Sequence, residues 1–222
     1  MPIQDFQDNT FVCFTDISGF KVLLQHQRDR AIHALDLFYQ TGYNLLQTQS
    51  GTSKVEGMFI SDCGVLFVRP HGADTSQQLS ALLSVVESLN RRMLQDEFML
   101  TTAIAYGFFT YESRREFVGI DKNLMLGAPY VEAFLENEAG HPKLEPGQCR
   151  IIVDHLPINM PPIGTNSHDS IFRRLRPKGL KHLYFYWMRQ RPEEIDDFEA
   201  RYRDAYNLKY SGMLRALRGT AA

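Results

Sequence analysis

Residues 11–20 (FVCFTDISGF) constrain the fold strongly, because a β-strand leads through small residues directly into a helix. The apolar, β-prone run Phe11–Phe14 predicts a buried strand. Asp16 follows where the strand reaches the surface, and Ser18 and Gly19 precede an amphipathic helical pattern. A carboxylate in this place can bind a divalent cation through a hard oxygen atom, and N–H groups at a helix start can bind phosphate. The pattern therefore predicts a site for a metal ion and a polyphosphate.

A second acidic residue lies in a predicted hairpin. Residues 58–68 (MFISDCGVLFV) contain two apolar runs around a polar break, the pattern of a β-hairpin with Asp62 at its turn. If the hairpin pairs with the first strand, Asp62 lies near Asp16, the two carboxylates repel, and the pKa of one should rise. A cation between them would remove that cost. Taken separately, Asp16 could equally be a helix N-cap and Asp62 a turn former; together they favour the metal site.

Three motifs in this order resemble those of class III nucleotide cyclases. FTDISGF is similar to the family's first metal motif, F-T-D-I-x-G-F, and ISDCGVLFV is similar to its second, G-D-x-x-x-A-x-F. Residues 176–186 (RPKGLKHLYFY) are similar to the K-G-x-x-x-x-x-Y segment, whose lysine, here Lys178, contacts the triphosphate. The resemblance spans about residues 10–190.

The resemblance implies a set of catalytic residues, Asp16, Asp62 and Lys178. Two Mn²⁺ or Mg²⁺ ions per site would be held by the two aspartates and by the carbonyl of Ile17. No dedicated protein base is apparent. The residues expected at the triphosphate are Ile17, Ser18, Gly19 and Phe20 through their N–H groups, and Lys178 through its side chain.

The base pocket implied by the resemblance consists of Phe14, Met58 and Leu124. Purine cyclases of the family place a Lys or Glu base reader four residues before the second metal Asp, and Met58 stands there in this sequence. The partner base reader falls on Leu124. A site built to hydrogen-bond one base rejects another strongly, so the loss of both polar readers disfavours ATP and GTP.

The family's transition-state Asn and Arg are also replaced. Val131 and Leu135 occupy these positions, or Tyr130 and Phe134 if one residue is deleted. Either the enzyme is degenerate, or another cation stabilises the developing charge. Arg114 and Arg115 are candidates for that cation, because a planar guanidinium suits phosphate. A solvated basic loop is an equally good interpretation of these two arginines.

Short, stand-alone members of this family, the pyrimidine cyclases of the bacterial Pycsar antiphage systems, keep the metal motif and lack the purine readers. The chain resembles them. The resemblance implies conversion of UTP to 3′,5′-cyclic UMP and diphosphate, a homodimer with composite active sites, and a separate effector that the cyclic nucleotide activates. The alternatives are a cytidylate or adenylate cyclase, or a catalytically inactive nucleotide-binding module.

The order of helical and strand patterns is β-α-β-β-α-β, typical of a ferredoxin-like α+β core. We expect one domain over residues 1–222, with extra C-terminal strands and a C-terminal helix over about 192–218. Residues 112–125 are expected to form an exposed loop. The helix after Gly127 and the C-terminal helix carry apolar stripes that could form a dimer interface, or could pack on the chain's own core.

Composition restricts the function classes further. The net charge is −2, so bulk charge gives no indication of nucleic-acid or membrane binding. No signal peptide or membrane-spanning run is apparent. The three cysteines lack a C-x-x-C pair, which argues against a zinc site and favours free thiols in a reducing cytoplasm.

Overall fold

The computed structural model describes residues 3–49, 53–158, 160, 163–164, 167–206 and 209–219. Its strands are β1 (Phe6–Ile17), β2 (Lys54–Ile60), β3 (Cys63–Arg69), β4 (Leu100–Phe117), β5 (Ile120–Gly127), β6 (Cys149–Ile152), β7 (Leu175–Lys178) and β8 (His182–Phe185). Its helices are α1 (Phe20–His26), α2 (Arg28–Gln47), α3 (Thr75–Gln95), α4 (Ala128–Ala139), α5 (Ile195–Tyr206) and α6 (Lys209–Arg218).

The eight strands form one sheet in the order β2-β3-β1-β4-β6-β8-β7, and β5 pairs with β4 off this path. β1 is antiparallel to both β3 and β4, whereas β4 and β6 are parallel. The predicted βαββαβ order, with additional C-terminal strands and a helical C-terminal segment, is confirmed.

Side-chain alternation along β1 assigns residues to two cores, because successive side chains of a strand point to opposite faces. Phe11 and Cys13 belong to a large core that includes residues of α1, α2, α3, α5 and α6. Val12 and Phe14 belong to a smaller core that includes Ala133 of α4. Asp16 continues the second set and therefore lies on the face that α4 covers.

One expectation about an irregular segment was wrong. Residues 112–125 belong to a long hairpin of β4 and β5 and not to a loop, and the chain turns around Gly119, whose φ is 85°. The helix predicted over about 192–218 corresponds to α5 and α6, and residues 207–208 between them lie outside the described residues.

The apolar stripe of the C-terminal segment packs on the chain's own core. Phe198, Tyr202, Met213 and Leu217 are all buried in the large cluster. This stripe therefore forms part of the chain's own core and not a dimer interface. The exposed apolar residues of α4 are Val131, Phe134 and Leu135.

No helix in the described part of the chain has the length and apolar character needed to cross a membrane. The three cysteines are free thiols, with Cys13 and Cys149 buried and Cys63 partly buried.

Candidate active site

The two predicted metal-binding aspartates lie together at one end of the sheet. Asp16 is opposite Cys63 on β3, and the hairpin turn of Ser61 and Asp62 reaches the end of β1. The Ile17 N–H donates to the Asp62 carbonyl at 2.9 Å. The Ser61 hydroxyl donates to the Asp62 carboxylate at 2.9 Å. The turn is therefore bonded directly to the strand end that carries Asp16.

Negative charge accumulates around Asp16. Burial, the neighbouring Asp62 carboxylate and the Glu138 carboxylate, in decreasing order of effect, together raise the pKa of Asp16 to about 7. Burial also raises the pKa of the Cys63 thiol, again with contributions from these carboxylates. Every influence resolved on the Asp16 carboxyl group opposes its ionisation. A cation bound here would reverse that effect.

The turn after β1 is formed as predicted, but fewer of its N–H groups are free than expected. Gly19 adopts a φ of 75°, which favours glycine, at the start of α1. The N–H of Ile17 donates to Asp62, and that of Ser18 donates to the Met99 carbonyl at 2.9 Å. These two groups are therefore not free for phosphate, and the candidate backbone donors reduce to Gly19 and Phe20. The remaining polar group is the Ser18 hydroxyl, a buried oxygen without a partner among the described residues.

Two of the three predicted base-pocket residues lie beside Asp16 and Asp62, which we call the acid pair. Met58 is opposite Val65, and Val65 is opposite Phe14, so the three form one row across β2, β3 and β1. Asp16 lies two residues further along β1, about 7 Å away. The edge of the Phe134 ring packs on the Phe14 ring at a centroid distance of 5.3 Å.

Leu124 is not brought to this row within one chain. It is opposite Glu112 on β4, roughly 35 Å along that strand from the residue opposite Asp16. Its neighbour Met125 packs on the smaller core. By alternation, Leu124 faces the other side of the sheet. The register thus separates Leu124 from Phe14 and Met58 in the same chain.

Lys178 lies at the opposite edge of the sheet. It ends β7, which is four strands from β1 and so roughly 19 Å away across the sheet. Its ammonium donates to Glu199 of α5 at 2.6 Å. The same pair borders a cavity of about 420 Å³ lined by aromatic residues such as Tyr186 and Tyr202, but neither aspartate borders it.

Arg114 lies on the β4–β5 hairpin, where it donates to Glu112 at 2.7 Å. Arg115 is also on β4, opposite Asp121, and its side chain is outside the described residues. Within one chain these arginines are far along β4 from the strand end that carries Asp16.

Helix α4 is fixed to the sheet by buried polar contacts. The guanidinium of Arg150 is fully buried, donates to Glu136 of α4, and donates to the Tyr184 hydroxyl at 2.6 Å. The Thr101 hydroxyl donates to the Asn137 side-chain carbonyl at 3.1 Å. These contacts hold the last turns of α4 over the strand next to β1.

Comparisons with solved structures give a consistent result. The adenylyl cyclase CyaB from P. aeruginosa matches with a TM-score of 0.54 and 16% identity over 68% of this chain and 79% of that chain. The dimeric guanylyl cyclase domain of the RhoGC fusion protein from Blastocladiella emersonii matches with a TM-score of 0.57 and 10% identity over 83% of this chain and 98% of that chain. The fold is that of a class III nucleotide cyclase domain.

A third structure with the cyclase fold is a class III adenylyl cyclase-like ATP-binding protein from Pseudomonas aeruginosa. Its TM-score is 0.51 at 14% identity, over 68% of this chain and 34% of that chain. No protein-family model and no curated protein sequence matches the chain.

The acid end of this cyclase fold has the donors that a divalent cation needs. Two carboxylates converge there, and hard oxygen ligands suit Mg²⁺ and Mn²⁺. No three Asp, Glu, His or Cys side chains within the described ranges are arranged to hold an ion by themselves. Mg²⁺ commonly takes only one or two protein carboxylates, with substrate phosphates and water as its other ligands. The residues therefore fit a cation that binds together with a phosphate-bearing substrate.

Two residues at these sites were missed in the sequence. Glu138 affects the ionisation of Asp16, and Glu199 pairs with Lys178. Both are glutamates on amphipathic helices, where exposed acidic residues are common. Nothing in the neighbouring sequence therefore indicates their role. Their proximity follows from how α4 and α5 cross the sheet.

Proposed function

We propose that the protein is a nucleotide cyclase that converts UTP to 3′,5′-cyclic UMP and diphosphate. The observation that carries this proposal is the Asp16–Asp62 pair. Two carboxylates converge at a strand end, and the pKa of Asp16 is raised to about 7. Ionisation of both carboxylates is therefore unfavourable unless a cation binds between them. The cyclase fold supports the same class of reaction.

Asp16, Asp62 and the Ile17 carbonyl would hold two Mn²⁺ or Mg²⁺ ions. When bound, such ions lower the pKa of the ribose 3′-hydroxyl and offset the charge of the triphosphate. The 3′-oxygen attacks the α-phosphorus, the bond from that phosphorus to the bridging oxygen of the β-phosphate breaks, and the hydroxyl proton passes to solvent. Lys178 and the N–H groups of Gly19 and Phe20 bind phosphate oxygens and orient the chain of phosphates.

The choice of a pyrimidine rests on the row that contains Phe14 and Met58. This row presents apolar atoms two residues from Asp16 along β1. An adenine or guanine would leave its hydrogen-bonding edge unpaired against these side chains, which is costly. A pyrimidine ring is smaller and would lose less hydrogen-bonding free energy on entering this row. The cyclic nucleotide would then act as a second messenger in antiphage defence, through a separate effector.

The active unit in this proposal is a homodimer with composite sites. Lys178 is roughly 19 Å from the strand of Asp16 in one chain, too far for both to contact one triphosphate. A second copy can supply Lys178 to the first chain's acid pair, and the twofold axis generates two equivalent sites. The exposed apolar residues of α4, Val131, Phe134 and Leu135, provide a surface for the contact.

A competition assay tests the proposed substrate. UTP, CTP, ATP and GTP are supplied together at equal concentration with Mn²⁺, and the cyclic products are separated by chromatography. We expect cyclic UMP to dominate. Dominant cyclic AMP would replace the pyrimidine assignment by an adenylate cyclase. Binding of nucleotides without any cyclic product would favour an inactive nucleotide-binding module.

A further inference from the structure

Asn137, near the C-terminal end of α4, carries a buried hydrogen-bond donor that the chain does not use. The residue is 8% exposed. Its side-chain carbonyl accepts from the Thr101 hydroxyl at 3.1 Å, whereas its NH₂ group has no partner in the described part of the chain. Buried polar groups are nearly always paired, and an unpaired one calls for an explanation, such as a ligand.

The register places this donor beside the acid pair. Thr101 is directly opposite Asp16 in the β1–β4 ladder, where Cα atoms are about 4.5–5.5 Å apart. Opposed side chains share a face of the sheet, so Thr101 and Asp16 point to the side that α4 covers. Asn137 is bonded to Thr101 on that same side. Glu138, the next residue, is close enough to Asp16 to raise its pKa.

A second unused polar atom lies at the same strand end. The Ser18 hydroxyl oxygen is buried and has no partner among the described residues. Ser18 follows Asp16 by two residues, and its N–H is fixed to Met99 of the segment leading into β4. Two unpaired hydrogen-bonding groups therefore flank one carboxylate, on separate elements of the chain. An anionic ligand oxygen bound beside Asp16 could accept hydrogen bonds from both groups.

We propose that Asn137 is a substrate-positioning residue whose side-chain NH₂ donates to an anionic oxygen of the triphosphate bound at Asp16 and Asp62. This inference rests on the proposed function, since it needs a polyphosphate at the acid pair. Thr101 holds the amide in place, and the Arg150–Glu136 contact holds the helix turn that carries it. Asn137 then approaches the phosphates from the same chain that supplies the two aspartates.

Thr101→Val provides a matched control for the test. This substitution removes the hydroxyl that fixes Asn137 but keeps a β-branched strand residue of similar shape, and it leaves the Asn137 donor in place. Asn137→Ala removes the donor. Asn137→Ser is a second variant, which retains a small donor if the alanine variant is poorly folded. Far-ultraviolet circular dichroism and thermal melts establish that each variant is folded.

Binding is measured by isothermal titration calorimetry in Mn²⁺ with two probes, inorganic tripolyphosphate and α,β-methylene-UTP, which cannot be cyclised. A hydrogen bond to a charged oxygen corresponds to about a 10–100-fold change in affinity. We expect Asn137→Ala to weaken binding of both probes by this factor, Asn137→Ser to weaken it less, and Thr101→Val to weaken it by less than about threefold.

Several results would overturn the inference. Unchanged tripolyphosphate affinity in Asn137→Ala would do so, even if nucleotide affinity fell, because the donor would then not contact phosphate. A larger loss of affinity in Thr101→Val than in Asn137→Ala would also do so, because the Thr101–Asn137 contact would then matter for structure and not for presenting a donor. If the unsubstituted protein bound neither probe, the proposed function itself would fail, and the inference with it. If the unsubstituted protein binds and cyclises UTP while Asn137→Ala matches it, only the inference fails.

Discussion

Two regions of the sheet differ in how the chain balances their charges. One is the acid end, which carries Asp16 and Asp62, and the other is the edge that carries Lys178. At the acid end, burial and two neighbouring carboxylates all raise the pKa of Asp16. At the other edge, Glu199 neutralises Lys178 at 2.6 Å. The first region needs a positive charge from outside the chain, whereas the second already has its counter-charge. If Lys178 binds a phosphate as proposed, it has to exchange Glu199 for that new partner.

The largest expected effect is on the acid end. Asp62→Asn keeps the side chain's shape and removes its charge, so we expect catalytic turnover to fall by more than about a hundredfold. Loss of an outer-shell partner of a metal site already costs about 10–100-fold, and a direct ligand should cost more. Turnover is measured with Mg²⁺ and UTP. Asp8→Asn, which changes an exposed aspartate near the other end of β1, is the control. Near-normal turnover in Asp62→Asn would refute the metal assignment.

The second prediction joins the two regions across a dimer. Asp16→Ala and Lys178→Ala should each be inactive alone, because each removes one half of every composite site. Mixing them should restore activity up to about a quarter of normal, since random pairing makes half the dimers mixed and each mixed dimer has one intact site. Subunit exchange is verified with differently tagged chains. Mixed dimers without activity, or an active monomer by light scattering, would contradict shared sites.

Base selection gives an effect of intermediate size. Met58→Lys places an ammonium in the apolar row beside Phe14, where an unpaired charge is costly. We expect UTP turnover to fall by roughly 10–100-fold and some ATP turnover to emerge. Met58→Leu, a swap that conserves volume, should change turnover little. Initial rates with UTP and ATP separate these results. An unaltered selectivity in Met58→Lys would mean that this side chain does not face the base.

The local parts of this site were predictable from sequence, whereas its long-range parts were not. Asp16 lies at the end of a strand and precedes a turn, and Asp62 lies in a two-residue hairpin turn, so each has a signal within a few neighbouring residues. Their meeting needs only the pairing of β1 with β3. Glu138 and Glu199 reach their partners because helices cross the sheet at particular angles, and no local pattern encodes that crossing.

The β4–β5 hairpin illustrates a different failure. Its residues are charged or polar on both faces around Arg114 and Lys122, which resembles a loop by composition. The alternation of apolar and polar residues that is typical of a strand with one buried face is absent from this segment. The position of Leu124 depends on that register. Its assignment to a base pocket therefore remains a prediction for a partner chain's site and not for its own.

A smaller effect concerns stability without metal. An acid whose folded pKa is raised, as for Asp16 from 3.8 to about 7, keeps its proton in the folded state after the unfolded state has lost it. The free energy of unfolding therefore falls as pH rises from about 4 to 7. Asp16→Asn should not show this loss of stability. In the presence of a chelator at pH 8 it should melt about 3–6 °C above the unsubstituted protein. This shift corresponds to a difference of about 1–2 kcal/mol in the free energy of unfolding.

Thermal melts at pH 4.5 and pH 8 measure this difference, with Mn²⁺ added in a parallel series. The two proteins should have similar melting temperatures at pH 4.5, where Asp16 is protonated in the folded state. Mn²⁺ should stabilise the unsubstituted protein at pH 8 more than it stabilises Asp16→Asn. The same pH dependence in both proteins would mean that Asp16 is not the group whose ionisation is opposed.

The smallest effect is expected at the Lys178 edge. The Lys178 and Glu199 side chains are 42% and 23% exposed, so the pair contributes about 0.2–1 kcal/mol. Glu199→Gln removes the competing charge and should lower the KM for UTP by about 1.5–5-fold, with kcat unchanged. Asp196→Asn removes an exposed carboxylate of the same helix and should leave KM unaltered. In a Glu199→Gln, Lys178→Ala double variant the gain should disappear. If Asp196→Asn lowered KM equally, the effect would be one of net charge, and the exchange of partners by Lys178 would have no support.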